Sequence, residues 1–113
     1  MARVEEVVVD QSLTIRISRD GGALVLRLSG ELDLQNAETL DEHLARAESS
    51  DAEKIVLDLR DLTFIDSCGL KSILIATRHS REDGNRLGIL RGRGEGASLL
   101  ELTGIDLAIN LLD

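Results

Sequence analysis

The chain has 113 residues, with 13 Lys plus Arg against 21 Asp plus Glu, a formal charge of −8. Its apolar side chains are almost wholly Leu, Ile, Val and Ala, with one Phe and no Trp or Tyr. That length suits a single domain burying one core without disulfides or a structural metal, while the negative balance and the lack of stacking aromatics oppose nucleic-acid binding.

One cysteine, Cys68, cannot close an internal disulfide, and with His43 and His79 it makes too thin a set for zinc, so neither a metal nor another cofactor is expected. The start, MARVEEVVVDQ, is not a basic segment followed by a long apolar one, and no run of about 18 apolar residues occurs. A soluble cytoplasmic protein, not a membrane one, is the expectation.

Residues 1–12 read as a peripheral segment, in which Val7 to Val9 could extend an edge strand although Glu5, Glu6 and Asp10 flank them. A domain is expected over 13–112. Leu13, Ile15 and Ile17 alternate with Thr14 and Arg16, the period of a strand with one wet face. Asp20-Gly21-Gly22 then reads as a tight turn, and Leu24, Leu26 and Leu28 mark the second arm of a hairpin. After Gly30-Glu31-Leu32-Asp33, the spacing of Ala37, Leu40, Leu44 and Ala47 predicts an amphipathic helix with Asp33 or Asn36 as its cap. His43 falls beside that stripe and is expected to be a solvated or half-buried surface residue. Ile55, Val56, Leu57 and Leu59 predict a buried strand, Arg60 to Asp66 a linker, and Leu70, Ile73, Leu74 and Thr77 one face of a second helix. Asp83-Gly84-Asn85 closes it, and a short strand follows at Arg86 to Leu90. A short helix over 97–102 and a last strand or helix over 107–112 complete the reading. A strand, helix, strand succession from Ile55 to Leu90 requires a right-handed parallel crossover, whereas the opening hairpin is antiparallel. The fold class is therefore α/β, with a mixed four- to five-stranded sheet flanked by helices.

Three chemical readings arise, two at the junction Asp66-Ser67-Cys68-Gly69 and one in the glycine-rich run after Leu90. A Cys68 nucleophile would profit from the helix dipole but needs a base. His79, eleven residues on, is about 16 Å away along a helix, and nothing in the sequence brings His43 near. Ser67 lacks the flanking glycines of a nucleophile elbow. The run Gly92-Arg93-Gly94-Glu95-Gly96-Ala97 imitates a dinucleotide fingerprint, but the strand and acidic residue that should follow are missing, which leaves a mildly basic loop. No catalytic residue is assigned. Asp33 and Asp66 each stand between a strand and a helix, so neighbouring strands would put both acids on one edge of the sheet.

The run DLRDLTFIDSCGLKSILIA, with GELDLQNAETL before it and LLELTGIDLAINL after it, resembles the sulfate-transporter and anti-sigma-factor-antagonist (STAS) domain family, in particular its small stand-alone bacterial members. The resemblance covers about Leu13 to Leu112. It implies a mixed sheet flanked by helices and a protein that is not an enzyme but binds an anti-sigma factor, usually a serine kinase, and so releases a sigma factor. It further implies that the kinase phosphorylates Ser67, that a metal-dependent serine phosphatase reverses this, and that the binding face includes Gly30, Glu31, Leu32, Asp33, Asp66, Ser67, Cys68 and Gly69. Gly69 is expected to let the partner approach closely. Cys68 departs from the family, which more often has Ser or Thr there, and so removes a competing hydroxyl. The resemblance also admits another role, that of a scaffold or adaptor in a sensory assembly or beside a transporter.

Overall fold

The computed structural model describes residues 3–91 together with Leu112. Seven elements follow one another as β1 (Arg3–Asp10), β2 (Leu13–Asp20), β3 (Ala23–Leu32), α1 (Ala37–Glu48), β4 (Lys54–Ile65), α2 (Ser67–Glu82) and β5 (Leu87–Leu90). The five strands lie in one sheet in chain order. β1 to β3 pair antiparallel through short turns, whereas β3, β4 and β5 run parallel. The expected mixed sheet is thus present with five strands. Both parallel connections step in the same direction across the sheet, so right-handed crossovers place α1 and α2 on one face. Leu13, Ile15, Leu26, Leu28, Ile55, Leu57, Leu40, Leu44 and Ile73 meet there in a single core.

Three local outcomes differ from the sequence reading. The N-terminal segment carries the edge strand β1, whose Asp10 accepts a hydrogen bond from Thr39 on α1. His43 is buried at 7% exposure, with Nδ1 3.9 Å from Glu6 on β1, and is not the solvated or half-buried surface residue expected.

The third difference shapes the site. No linker separates Leu59 from Asp66: β4 runs on to Ile65, with pairing shifts against β3 after Asp58 and after Leu62. Each shift inserts an extra residue and resets which side chains face inward. The inward residues of β4 are therefore Ile55, Leu57, Leu59, Leu62 and Ile65, spaced two, two, three and three apart. Period-two alternation breaks at the first shift, which is where the sequence reading ended the strand.

Asp58 pins this first irregularity. Its Oδ1 accepts from the backbone N–H of Arg60 at 3.1 Å and from Arg60 Nε at 2.9 Å, and its Oδ2 accepts from Arg60 Nη2 at 2.8 Å and Arg27 Nε at 3.2 Å. Burial pushes the Asp58 carboxyl up, but the hydrogen bonds and charge of Arg60, with that of Arg27, outweigh it and hold the group below the usual carboxylate range. At the far end of the helical layer, Arg86 donates to the carbonyls of Glu48, Ser50 and Ala52 and so satisfies the end of α1. Among the described residues no helix is long and apolar enough to cross a membrane. The elements expected over 97–102 and 107–112, and the glycine-rich loop 92–96, lie outside the described residues except for Leu112, whose N–H donates to Ile89 O at 2.8 Å.

Candidate functional site

Parallel pairing of β3 with β4 ends at Leu32 opposite Ile65. The next residues are Asp33 and Asp66, so the two acids do share one edge of the sheet, at the carboxyl ends of parallel strands, where open α/β sheets commonly bind their ligands. Two turns stand side by side here: Asp33 to Asn36 enters α1, and Asp66 enters α2.

The first turn is held from within. Asn36 is fully buried; its Nδ2 donates to Glu31 O at 3.0 Å and its Oδ1 accepts from Asp33 N–H at 2.9 Å. Asn36 occupies the cap position of α1 but makes no side-chain bond to the helix. Asp33 shapes the turn instead, with Oδ1 accepting from Gln35 N–H at 3.0 Å and its carbonyl accepting from Ala37 N–H at 2.9 Å. Gly30 sets the approach: at φ +90° it brings its Cα so near β2 that a Cβ would stand 2.0 Å from Ser12 O. Only glycine fits such a backbone. Its carbonyl accepts from Thr63 Oγ1 at 3.1 Å.

Asp66 ties the second turn to the first. Its Oδ1 accepts from Gly69 N–H at 3.0 Å, the capping bond for α2, while Oδ2 accepts from Leu34 N–H at 3.0 Å. One carboxylate thereby fixes the start of α2 and the loop ahead of α1 in a single geometry. Ser67, the first residue of α2, is exposed, and Cys68 beside it is half-buried.

Two residues expected on the binding face turn away from solvent. Leu32 is fully buried, and Gly69 packs inward, where a Cβ would meet Leu32 Cγ at 2.7 Å and Ile65 Cγ1 at 2.9 Å. Packing of α2 on the sheet thus by itself accounts for glycine at 69. Glu31 is exposed, while Gly30, Asp33 and Asp66 are partly so. Conversely, the sequence reading left out two exposed apolar side chains, Leu34 at 73% and Phe64 at 46% exposure. Leu34 is bonded to Asp66 and Phe64 pairs with Glu31, so both flank the Ser67 turn. The one aromatic of the chain, in a segment otherwise rich in charge, was the available signal.

Among the described residues no group of three potential ligands could hold a metal ion. His43 faces Glu6 rather than Cys68.

A model of the STAS domain matches residues 14–112. The chain belongs to the STAS domain family. The anti-sigma-F factor antagonist RsfB of Mycobacterium tuberculosis is 29% identical over 100 residues, spanning 88% of this chain and 81% of the relative. A crystal structure of an anti-sigma factor antagonist from Mycobacterium paratuberculosis superposes with a TM-score of 0.75 at 26% identity, covering 88% of this chain and 85% of that one. The Bacillus cell fate determinant SpoIIAA in its phosphorylated form shares the fold at a TM-score of 0.64 and 20% identity, covering 88% of this chain and 91% of that one. The anti-sigma factor antagonists of this family are regulators rather than enzymes.

Proposed function

We propose that this STAS domain is a cytoplasmic anti-sigma factor antagonist that binds an anti-sigma factor with serine kinase activity through the two adjoining turns, releases a sigma factor, and is switched off by phosphorylation of Ser67. The single observation that carries the reading is the division of labour at the second turn. Asp66 and Gly69 are committed to the fold, while the hydroxyl-bearing residue between them is exposed. Its modification therefore need not disturb the domain, and the names of the relatives supply the kind of partner. Solution of SpoIIAA in a phosphorylated form supports a phosphate on this fold.

The docking face in this reading comprises Glu31, Asp33, Leu34, Phe64, Asp66, Ser67 and Cys68, with Gly30, Leu32 and Gly69 shaping it from beneath. Leu34 and Phe64 supply the apolar contact and Ser67 sits among them. A phosphate adds about −1.5 to −2 charges. At the first turn of α2 the helix dipole accommodates it within the domain. Against a partner the same dianion must be desolvated beside Asp66, Asp33 and Glu31. Moving a complex from roughly 99% to 1% formed takes about 5.5 kcal/mol of differential affinity, within reach of an unpaired buried charge. A metal-dependent serine phosphatase would restore the neutral hydroxyl.

Intact-mass analysis after incubation with the cognate kinase and ATP tests this directly. One phosphate is expected on the natural chain and none on Ser67→Ala, while Ser67→Ala keeps its affinity for the kinase and Ser67→Glu loses it. Phosphate retained on Ser67→Ala would remove the assignment.

A further inference from the structure

A second surface lies along the helices. α1 and α2 run side by side on the sheet and leave a groove of about 410 Å³ between them, with Leu44, Ala45 and Ala76 in its walls and Ile75, 53% exposed, on its ridge. Asp41, Glu48 and Asp83 also line it, with His79 on α2 as the one other titratable side chain and no Lys or Arg among the described lining residues. Both carboxylate oxygens of Glu48 are buried without a hydrogen-bond partner. The nearby cation, Arg86, keeps Nη2 3.7 Å from Glu48 Oε2 and directs its donors to the carbonyls of Glu48, Ser50 and Ala52. The groove therefore combines an apolar lining with a negative potential that its own surroundings only partly offset, and low-dielectric walls strengthen its pull on a cation at the mouth.

We propose that this groove is a docking site for a basic amphipathic helix of a partner protein, a surface distinct from the Ser67 turn and independent of the antagonist reading. Two helices lying side by side form the trough into which a third lays its apolar ridge. The shorter wall, α1, has 12 residues, a length of about 18 Å, enough for three turns of an incoming helix. Ile75 lines the groove and stands exposed at its rim, so an occupant long enough to follow both helices covers more of the apolar strip than a small molecule would. Flanking Lys or Arg on the occupant would face Asp41 and Asp83, both exposed.

The chain has no Trp or Tyr, so a Leu- and Lys-built amphipathic peptide of about 18 residues with one Trp reports its own binding by fluorescence. Saturable binding with one peptide per chain is expected. Ile75→Glu, and separately the pair Asp41→Lys and Asp83→Lys, should each weaken it at least about tenfold. The pair Asp20→Lys and Asp51→Lys, exposed acids outside the groove, should change it less than about twofold. Equal weakening by the two charge-reversed pairs would reduce the effect to bulk attraction and overturn the proposal. So would an unaffected Ile75→Glu variant, an equally tight Leu- and Glu-built peptide, or binding of a small organic ammonium ion where the peptide fails. Circular dichroism of each variant separates lost binding from lost fold.

Discussion

The turns entering α1 and α2 begin at matching points on adjacent parallel strands yet spend their polar groups differently. At the first, the polar side chain at the cap position, Asn36, is fully buried and bonded back to Glu31 and Asp33. At the second, Asp66 stays partly exposed, caps its own helix and reaches across to Leu34. The first turn is closed on itself and presents Leu34 and Gln35 outward; the second leans on the first and leaves Ser67 to solvent. Where a side chain is fully consumed by its own loop, the loop is scaffold. Where one carboxylate satisfies both loops, the neighbouring hydroxyl is spared any structural duty.

Substitutions ranked by expected effect can break or sharpen this contrast. Gly30→Ala should cost most, about 3 kcal/mol or more, because a positive φ and a collision with Ser12 O coincide there; a large fall in the urea midpoint is the expected outcome. Asn36→Ala should cost about 2 kcal/mol in the same measurement, since it leaves the Asp33 N–H and the Glu31 carbonyl without their buried partner. Asp66→Ala should cost about 1.5 kcal/mol through loss of the cap and of the link to Leu34, and hydrogen exchange should quicken at both Gly69 and Leu34. Quickening at Gly69 alone would mean the turns are not coupled.

Asp58, on the strand that feeds the second turn, gives a pH test. Its carboxyl titrates below its unfolded value, so its pairing stabilises the fold above about pH 4. That contribution is lost as pH falls through the unfolded value and then the lower folded one. Asp58→Asn should cost about 1 kcal/mol near neutrality, at the low end because Arg27 and Arg60 are half-exposed. It should also flatten the acid-unfolding curve below about pH 5. Smallest of all, Ser67→Ala should shift stability by less than about 0.5 kcal/mol. A cost equal to that of Asn36→Ala would place the serine in the scaffold and erase the difference between the turns.

Several features were legible in advance because they depend on local pattern. The stripe Ala37, Leu40, Leu44, Ala47 is buried as its spacing requires, and the hairpin around Gly21 forms where alternation and turn residues meet. The shared edge for Asp33 and Asp66 followed from two strands becoming neighbours. Others were hidden for physical reasons. β4 loses its period at the two pairing shifts, so Leu62 and Ile65 looked like linker residues while pointing into the core. His43 is buried on α1 with Glu6 of β1 beside it, a contact with a strand that is acid-flanked in sequence and was not marked by its pattern. Leu34 and Phe64 carry no pattern that marks an apolar residue as exposed.

By itself the sequence determined the order of elements from β2 to β5, the parallel crossovers and the serine at a helix start, since these follow from residue period, turn chemistry and chain handedness acting over a few residues at a time. Only the tertiary structure decided which side of each residue meets water. Leu32 and Gly69 face inward, Ser67 faces outward, and Asp66 bridges to Leu34, because those outcomes depend on the pairing shifts of β4 and the close approach of Gly30 to Ser12, contacts between segments far apart along the chain.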